Sequence, residues 1–142
     1  MSTRINELTM QDYDEVVVLW SSIEGIGLND ADSRGNMVTY LDRNPGLSFV
    51  ARDNGQVVGA VLCGHDGRRG YLHHLAVNPS HRKRGIGKAL VTRCLDALRG
   101  AGIVKCNIFV FDDNETGLSF WKASGWAHRP ELQFMQRKTE TE

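Results

Sequence analysis

No run of apolar residues in this sequence approaches the roughly 20 that a membrane-spanning helix needs. No secretory h-region follows the opening Met1-Ser2-Thr3-Arg4, so a cytoplasmic protein is expected. Cysteine is scarce: Cys63, Cys94 and Cys106 are odd in number, lack Cys-x-x-Cys spacing and fall in apolar runs. That pattern indicates neither a disulfide framework nor a zinc site, and no metal is expected; the three read as small buried side chains in a reducing compartment. An excess of either charge is missing too, because 17 Lys and Arg balance 17 Asp and Glu. The balance excludes the broad electrostatic attraction that nonspecific nucleic-acid or membrane-surface binding requires. The basic cluster His81 to Arg84 is too short to reverse it. Repeats and low-complexity linkers are absent as well. What is present, 41% apolar and 24% charged residues over 142 positions, suits one domain spanning residues 1–142 around one core.

The chain reads as alternating elements. Ile5 to Leu8 forms a first strand. Thr9 to Asp12 is a capping box ahead of Tyr13, Val16, Val17, Trp20 and Ile23 at helical spacing, so a first helix runs to about Gly25. Met37, Val38 and Leu41 place a second helix within Asp30 to Arg43, stopped by Asn44-Pro45-Gly46 because proline disfavours helical continuation before it. Leu47 to Arg52 and Val57 to Gly64 are the arms of a hairpin turned at Asn54-Gly55, a pair that accepts the positive φ angles of a two-residue turn. A strand at Tyr71 to Val77, a helix at Ile86 to Leu98, a strand at Val104 to Phe111, a helix at Glu115 to Ser124 and a last strand at Gln133 to Lys138 follow. The order β-α-α-β-β-β-α-β-α-β builds a mixed sheet flanked by helices, an α/β (α+β) fold. Thr139 to Glu142 is polar enough to fray. Leu132, Phe134 and Met135 either complete the core or offer a homodimer surface, and the sequence leaves both open.

The junction between the Tyr71–Val77 strand and the following helix reads Arg82-Lys83-Arg84-Gly85-Ile86-Gly87-Lys88. Gly85 and Gly87 permit a tight turn in which successive N–H groups converge on an anion at the positive end of the helix. The spacing separates three kinds of phosphate loop. A Walker A loop requires Gly at the position of Arg82 and Ser or Thr at that of Ala89, and a dinucleotide fingerprint requires a small residue at Leu90. Neither holds here.

What remains, Arg-x-x-Gly-x-Gly after a strand ending Leu75-Ala76-Val77-Asn78-Pro79, resembles the signature of the GNAT superfamily of acyl-CoA-dependent N-acyltransferases. Asn114, Phe120, Gly125 and Trp126 resemble that family's last helix, with Gly117 and Trp121 in place of its Ala and Tyr, so the resemblance covers most of Ile5 to Lys138. It implies a GNAT-like, mostly antiparallel sheet and acetyl transfer from acetyl-CoA to a small-molecule or peptide amine by direct attack. It further implies that Arg82, Lys83, Arg84, Gly85, Ile86, Gly87 and Lys88 hold the pyrophosphate. The pantetheine arm then pairs along Leu75, Ala76 and Val77, the Leu75 N–H faces the thioester carbonyl, and Asn114 both caps its helix and touches the cofactor.

A lysine-like amine with pKa near 10.4 costs about 4.6 kcal/mol to deprotonate at pH 7, so a positioned base is useful, and histidine suits the task. His73 occupies the place of a histidine that serves in proton removal in the family's arylalkylamine acetyltransferases. Period two puts Tyr71, His73, Leu75 and Val77 on one face of the strand and His74 on the other. Glu24, Asp112 and His65 are alternative bases on segments that border the acceptor side. Trp121 stands where the family's tyrosine acid does, and its indole N–H donates no proton at neutral pH, which leaves Tyr71 as an alternative donor. A thiol leaving group with pKa near 8.5 departs without much help. The same motifs also fit a non-catalytic acyl-CoA sensor. The acceptor itself is not legible in the sequence.

Overall fold

The computed structural model describes residues 3–140; Met1 and Ser2 of the amino-terminal run and the last two positions of the Thr139–Glu142 tail lie outside the described residues. Contacts within the chain divide it into two compact units, one ending at Phe111 and the other beginning at Asp112.

The first unit contains β1 (Thr3–Glu7), α1 (Tyr13–Ser21), α2 (Arg34–Arg43), β2 (Phe49–Asp53), β3 (Gln56–His65), β4 (Gly70–Val77), α3 (Ile86–Gly100) and β5 (Cys106–Ile108). The strands form one sheet in the order β1-β2-β3-β4-β5, antiparallel up to β4, with β5 parallel to β4. The expected mixed, mostly antiparallel sheet is therefore present. Its local signals behave as their chemistry predicts. Thr9 and Asp12 form the capping box, with the Thr9 N–H donating to Asp12 at 2.9 Å. Asn54 and Gly55 take φ +52 and +81 at the hairpin turn. The second helical segment is split, because Ser33 is extended and caps α2 separately from a short turn at Asp30–Asp32.

Each face of the sheet carries its own packing. Ala60, Leu62 and Ala76 pack with Val16, Leu19, Trp20 and Met37 on the α1–α2 side. The other face receives α3, whose Leu90, Cys94 and Leu98 are almost fully buried. A Cβ at Gly59 would lie 3.1 Å from Leu90 and 3.3 Å from Ile86, so a glycine on β3 sets how closely α3 approaches. Leu90 has no exposed surface, and truncating it leaves a cavity that the sheet cannot close. Leu90→Ala is expected to lower unfolding free energy by about 2–5 kcal/mol, read as a lower urea midpoint at unchanged slope.

In the second unit, α4 (Glu115–Ala123) starts at Asn114, whose side chain accepts from the Gly117 N–H at 3.0 Å. This is the expected cap. It also accounts for Gly117, because a Cβ there would stand 2.6 Å from the Asn114 amide. Gly125 at φ +94 ends the helix, with the Trp126 N–H donating to the Trp121 carbonyl at 3.0 Å. Trp121 packs edge-on against Phe120 and Trp126 at 5.1 and 5.0 Å.

Two strand expectations are corrected. Gln133–Lys138 forms no strand, and β5 spans three residues instead of Val104 to Phe111. Leu132, Phe134 and Met135 remain exposed, so burial does not drive the 133–138 segment into a ladder, and strand propensity alone does not create one. Among the described residues no helix is long and apolar enough to cross a membrane.

Candidate active site

The site is built where β4 departs from regular pairing. Leu62 lies opposite His73 and Ala60 opposite Ala76, so His74 and Leu75 together stand against Val61 alone. This is a β-bulge, and its extra residue, His74, sits at φ +56, a region in which histidine is found more often than most side chains. β5 pairs only with Gly70, Tyr71 and Leu72. Among the described residues no strand pairs with the β5-side edge of β4 from His73 to Val77, so a run of main-chain groups is available to an extended ligand.

The bulge corrects the expected facing. Strict alternation separates His73 from His74, but both lie on the α1–α2 side. His73 is opposite Leu62 of that core, while the His74 ring meets Trp20 edge-on at 5.1 Å and its Nε2 is 3.0 Å from Asp32 Oδ1. The same displacement separates Leu75 from His73. Ala76 belongs to the α1–α2 core, so alternation sends Leu75 and Val77 to the α3 face. The extra residue flips every side chain after it, which period-two reasoning misses.

A row of rings runs along the α1–α2 side. Phe109 stacks with Tyr71 at 6.1 Å and Tyr71 with His73 at 6.5 Å, both at interplanar angles of 11°. Tyr40 of α2 meets His73 edge-on at 6.4 Å. Burial, and secondarily the neighbouring His74, hold His73 below its ordinary pKa of 6.5, against a smaller opposing pull from Asp32. His73 is therefore neutral, and able to accept a proton, at pH 7. Burial raises the Tyr40 hydroxyl far above its usual range, so that ring contributes shape and no charge.

The loop after β4 is braced before the glycines begin. The Asn78 N–H donates to the Val58 carbonyl at 2.7 Å, His81 Nε2 is 2.9 Å from Asp53 Oδ2, and Arg82 Nε donates to the Val77 carbonyl at 3.2 Å. Lys83 and Gly85 then adopt φ +65 and +82, and α3 starts at Ile86 without a side-chain cap. Left-handed residues alternating with ordinary ones are a backbone pattern from which anion-binding concavities are built. Space around Gly85 is open, since a Cβ there would meet nothing within 4 Å. Arg82, Lys83, Arg84, Gly85, Ile86, Gly87 and Lys88 thus lie at one helix start, separated from Leu75, Ala76 and Val77 by a short turn at Pro79–His81.

His65 closes the β3–β4 turn, its Nδ1 accepting from the Gly67 N–H at 3.0 Å. Glu24 is exposed beyond α1, and Asp112 opens the second unit. The Asp32–His74 pair went unread in the sequence. Its two members are 42 positions apart, and no local signal joins them.

Residues 11–126 match the model of the acetyltransferase (GNAT) family. The chain belongs to that family and is an acyltransferase, with acetyl transfer as its reaction class. Solved structures share the fold at low identity. Ard1 from Thermoplasma volcanium is 20% identical, with 89% of this chain and 84% of that one covered at a TM-score of 0.78. The PaiA N-acetyltransferase from Thermoplasma acidophilum, solved in complex with coenzyme A, is 20% identical over 88% and 89% of the two chains at 0.74. Ribosomal-protein-alanine N-acetyltransferase from Brucella melitensis biovar Abortus 2308 is 21% identical over 96% and 100% at 0.73.

Proposed function

We propose that the protein transfers an acetyl group from acetyl-CoA to a primary amine by direct attack, with His73 as the base. The observation that carries this reading is the sequence of features on one strand. β4 bulges at His74 and Leu75, loses its β5 partner after Leu72, and leads through the Pro79–His81 turn to the glycine-rich start of α3. Acetyl-CoA supplies an activated acetyl group and a thiol that leaves without much help.

The residues divide the remaining work. N–H groups of Arg82 to Lys88 bind the pyrophosphate, and the Leu75 to Val77 main chain takes the pantetheine arm. The Leu75 N–H stabilises charge developing at the thioester carbonyl. Asn114 is a further cofactor contact by family resemblance. His73 removes a proton from the acceptor, and Tyr71, stacked on it, is the alternative donor to the leaving sulfur. The acceptor enters from the side of Glu24 to Tyr40. Rings line that side and its buried carboxylate, Asp32, is already paired with His74, which favours a compact amine with an apolar body over a polycation.

A second reading, acyl-CoA binding without turnover, is motivated by Trp121 at the tyrosine position. Thiol release from acetyl-CoA over a panel of aryl-substituted alkylamines, polyamines and amino-terminal peptides separates the two. Release with at least one amine, at a rate proportional to enzyme, supports the enzyme. Binding of acetyl-CoA with no release across the panel supports the sensor.

A further inference from the structure

The Asp32–His74 pair has no role in the steps above, yet several features converge on it. Asp32 is a buried carboxylate in a chain whose other acids are mostly solvated. Its Oδ1 lies 3.0 Å from His74 Nε2, and its Oδ2 accepts from the Asn29 N–H at 3.1 Å. The Tyr13 hydroxyl of α1 donates to its carbonyl at 2.7 Å. Both carboxylate oxygens and the carbonyl of Asp32 are therefore engaged in fixing this turn. Its partner is the bulge residue, which holds a backbone conformation that ordinary side chains avoid at a cost of about 1–2 kcal/mol. A strained residue persists where its surroundings over-determine it, and here those surroundings are the carboxylate on one side and the Trp20 ring on the other.

We propose that Asp32 and His74 are positioning residues, a clasp that holds the 29–32 turn against the β4 bulge and sets the electrostatic surroundings of His73. The inference rests on the reading of His73 as the base. Held through Nε2 by the carboxylate, His74 is fixed in one place beside His73, the two ring centroids being 6.4 Å apart. Geometry and charge then act together. The clasp fixes the wall past which an acceptor reaches His73, and it places a carboxylate that favours imidazolium close to an imidazole that opposes it. The titratable groups facing His73 are Tyr40 from α2, Tyr71 and His74 from β4, and Asp32 from the turn, while β3 presents Leu62.

Two substitutions separate the roles. Asp32→Asn keeps the size of the side chain and removes the charge. His74→Asn keeps a residue that tolerates positive φ and removes the imidazole. The first readout needs no substrate: the His73 titration midpoint followed by NMR in the purified protein. Losing the carboxylate makes imidazolium less favourable, so Asp32→Asn moves the midpoint to lower pH. Losing the His74 ring removes a neighbour that opposes imidazolium at His73, so His74→Asn moves it to higher pH. The acid limb of kcat/KM is expected to follow in the same opposite directions. Amine kcat/KM falls by up to about 100-fold from misplacement, while acetyl-CoA affinity stays at the wild-type value. Midpoints that do not move, or that move the same way in both variants, overturn the clasp's electrostatic role, whatever happens to activity. The parent reading fails separately, through a His73→Gln variant that retains full turnover; shifts of the midpoint that leave the acid limb unmoved have the same meaning.

Discussion

Gly85→Glu is expected to abolish acetyl-CoA binding, with affinity falling by more than about 100-fold in calorimetric titration of the ligand-free protein. Two effects act, one on stability and one on affinity. Gly85 sits at φ +82 immediately before the first residue of α3, and a non-glycine side chain held there costs about 1–2 kcal/mol of backbone strain. A carboxylate at the same point occupies the positive end of the helix and repels the phosphates it would otherwise attract. At about 1.4 kcal/mol for each factor of ten, two decades correspond to about 2.8 kcal/mol of lost attraction, charge repulsion and steric blockage at the phosphate site. Gly85→Asn is the control, since asparagine tolerates the left-handed region and adds no charge. It should keep most of the affinity. If the glutamate variant binds like wild type, the α3 start is not the phosphate site. If both variants lose binding together with their melting transition, the loop is needed for folding and the site assignment gains nothing.

That loop was legible because its chemistry is local. Two glycines, a strand that ends in Asn78-Pro79 and an apolar helical repeat lie within 30 residues, and each part acts on its neighbours in sequence. The sheet was legible for the same reason, through the Asn54-Gly55 turn and the capping box at Thr9. The face of His74 was not. Alternation carries no mark of an extra residue, and the bulge is seen only once β3 is laid beside β4 and Val61 is found opposite two residues. Nor was Asp32 legible as a partner, since its acidic neighbours in sequence are exposed and its burial comes from α1 and β4. The strand expected at Gln133–Lys138 fails for a related reason. A short stretch with an apolar pair such as Phe134-Met135 is only an offer of a strand, and the offer is taken up when a sheet edge accepts its hydrogen bonds and a core accepts its side chains.

The His73 assignment makes a prediction that depends on the acceptor as well as on the enzyme. His73→Gln is expected to lower kcat/KM for an alkylamine by about 10²–10⁴-fold, the usual contribution of a positioned base, with acetyl-CoA affinity unchanged. The defect should shrink for less basic acceptors. Each unit of amine pKa above the working pH adds about 1.4 kcal/mol to the deprotonation that the base assists, so an amine with pKa near 7 needs little help and should lose least. The pH profile supplies the second half of the test. Burial lowers the His73 pKa from 6.5, and the group must be neutral to accept a proton, so the acid limb of wild-type kcat/KM should lie below pH 6.5 and vanish in the glutamine variant. The same shift bears on stability with a fixed sign. Below its unfolded pKa the unfolded chain binds the proton that the folded site resists, so His73 costs stability as pH falls, and His73→Gln should lose less stability between pH 7 and pH 5 than wild type. A rate loss of equal size for every amine, with the acid limb retained, would mean that His73 only shapes the cleft and that the proton leaves by another route.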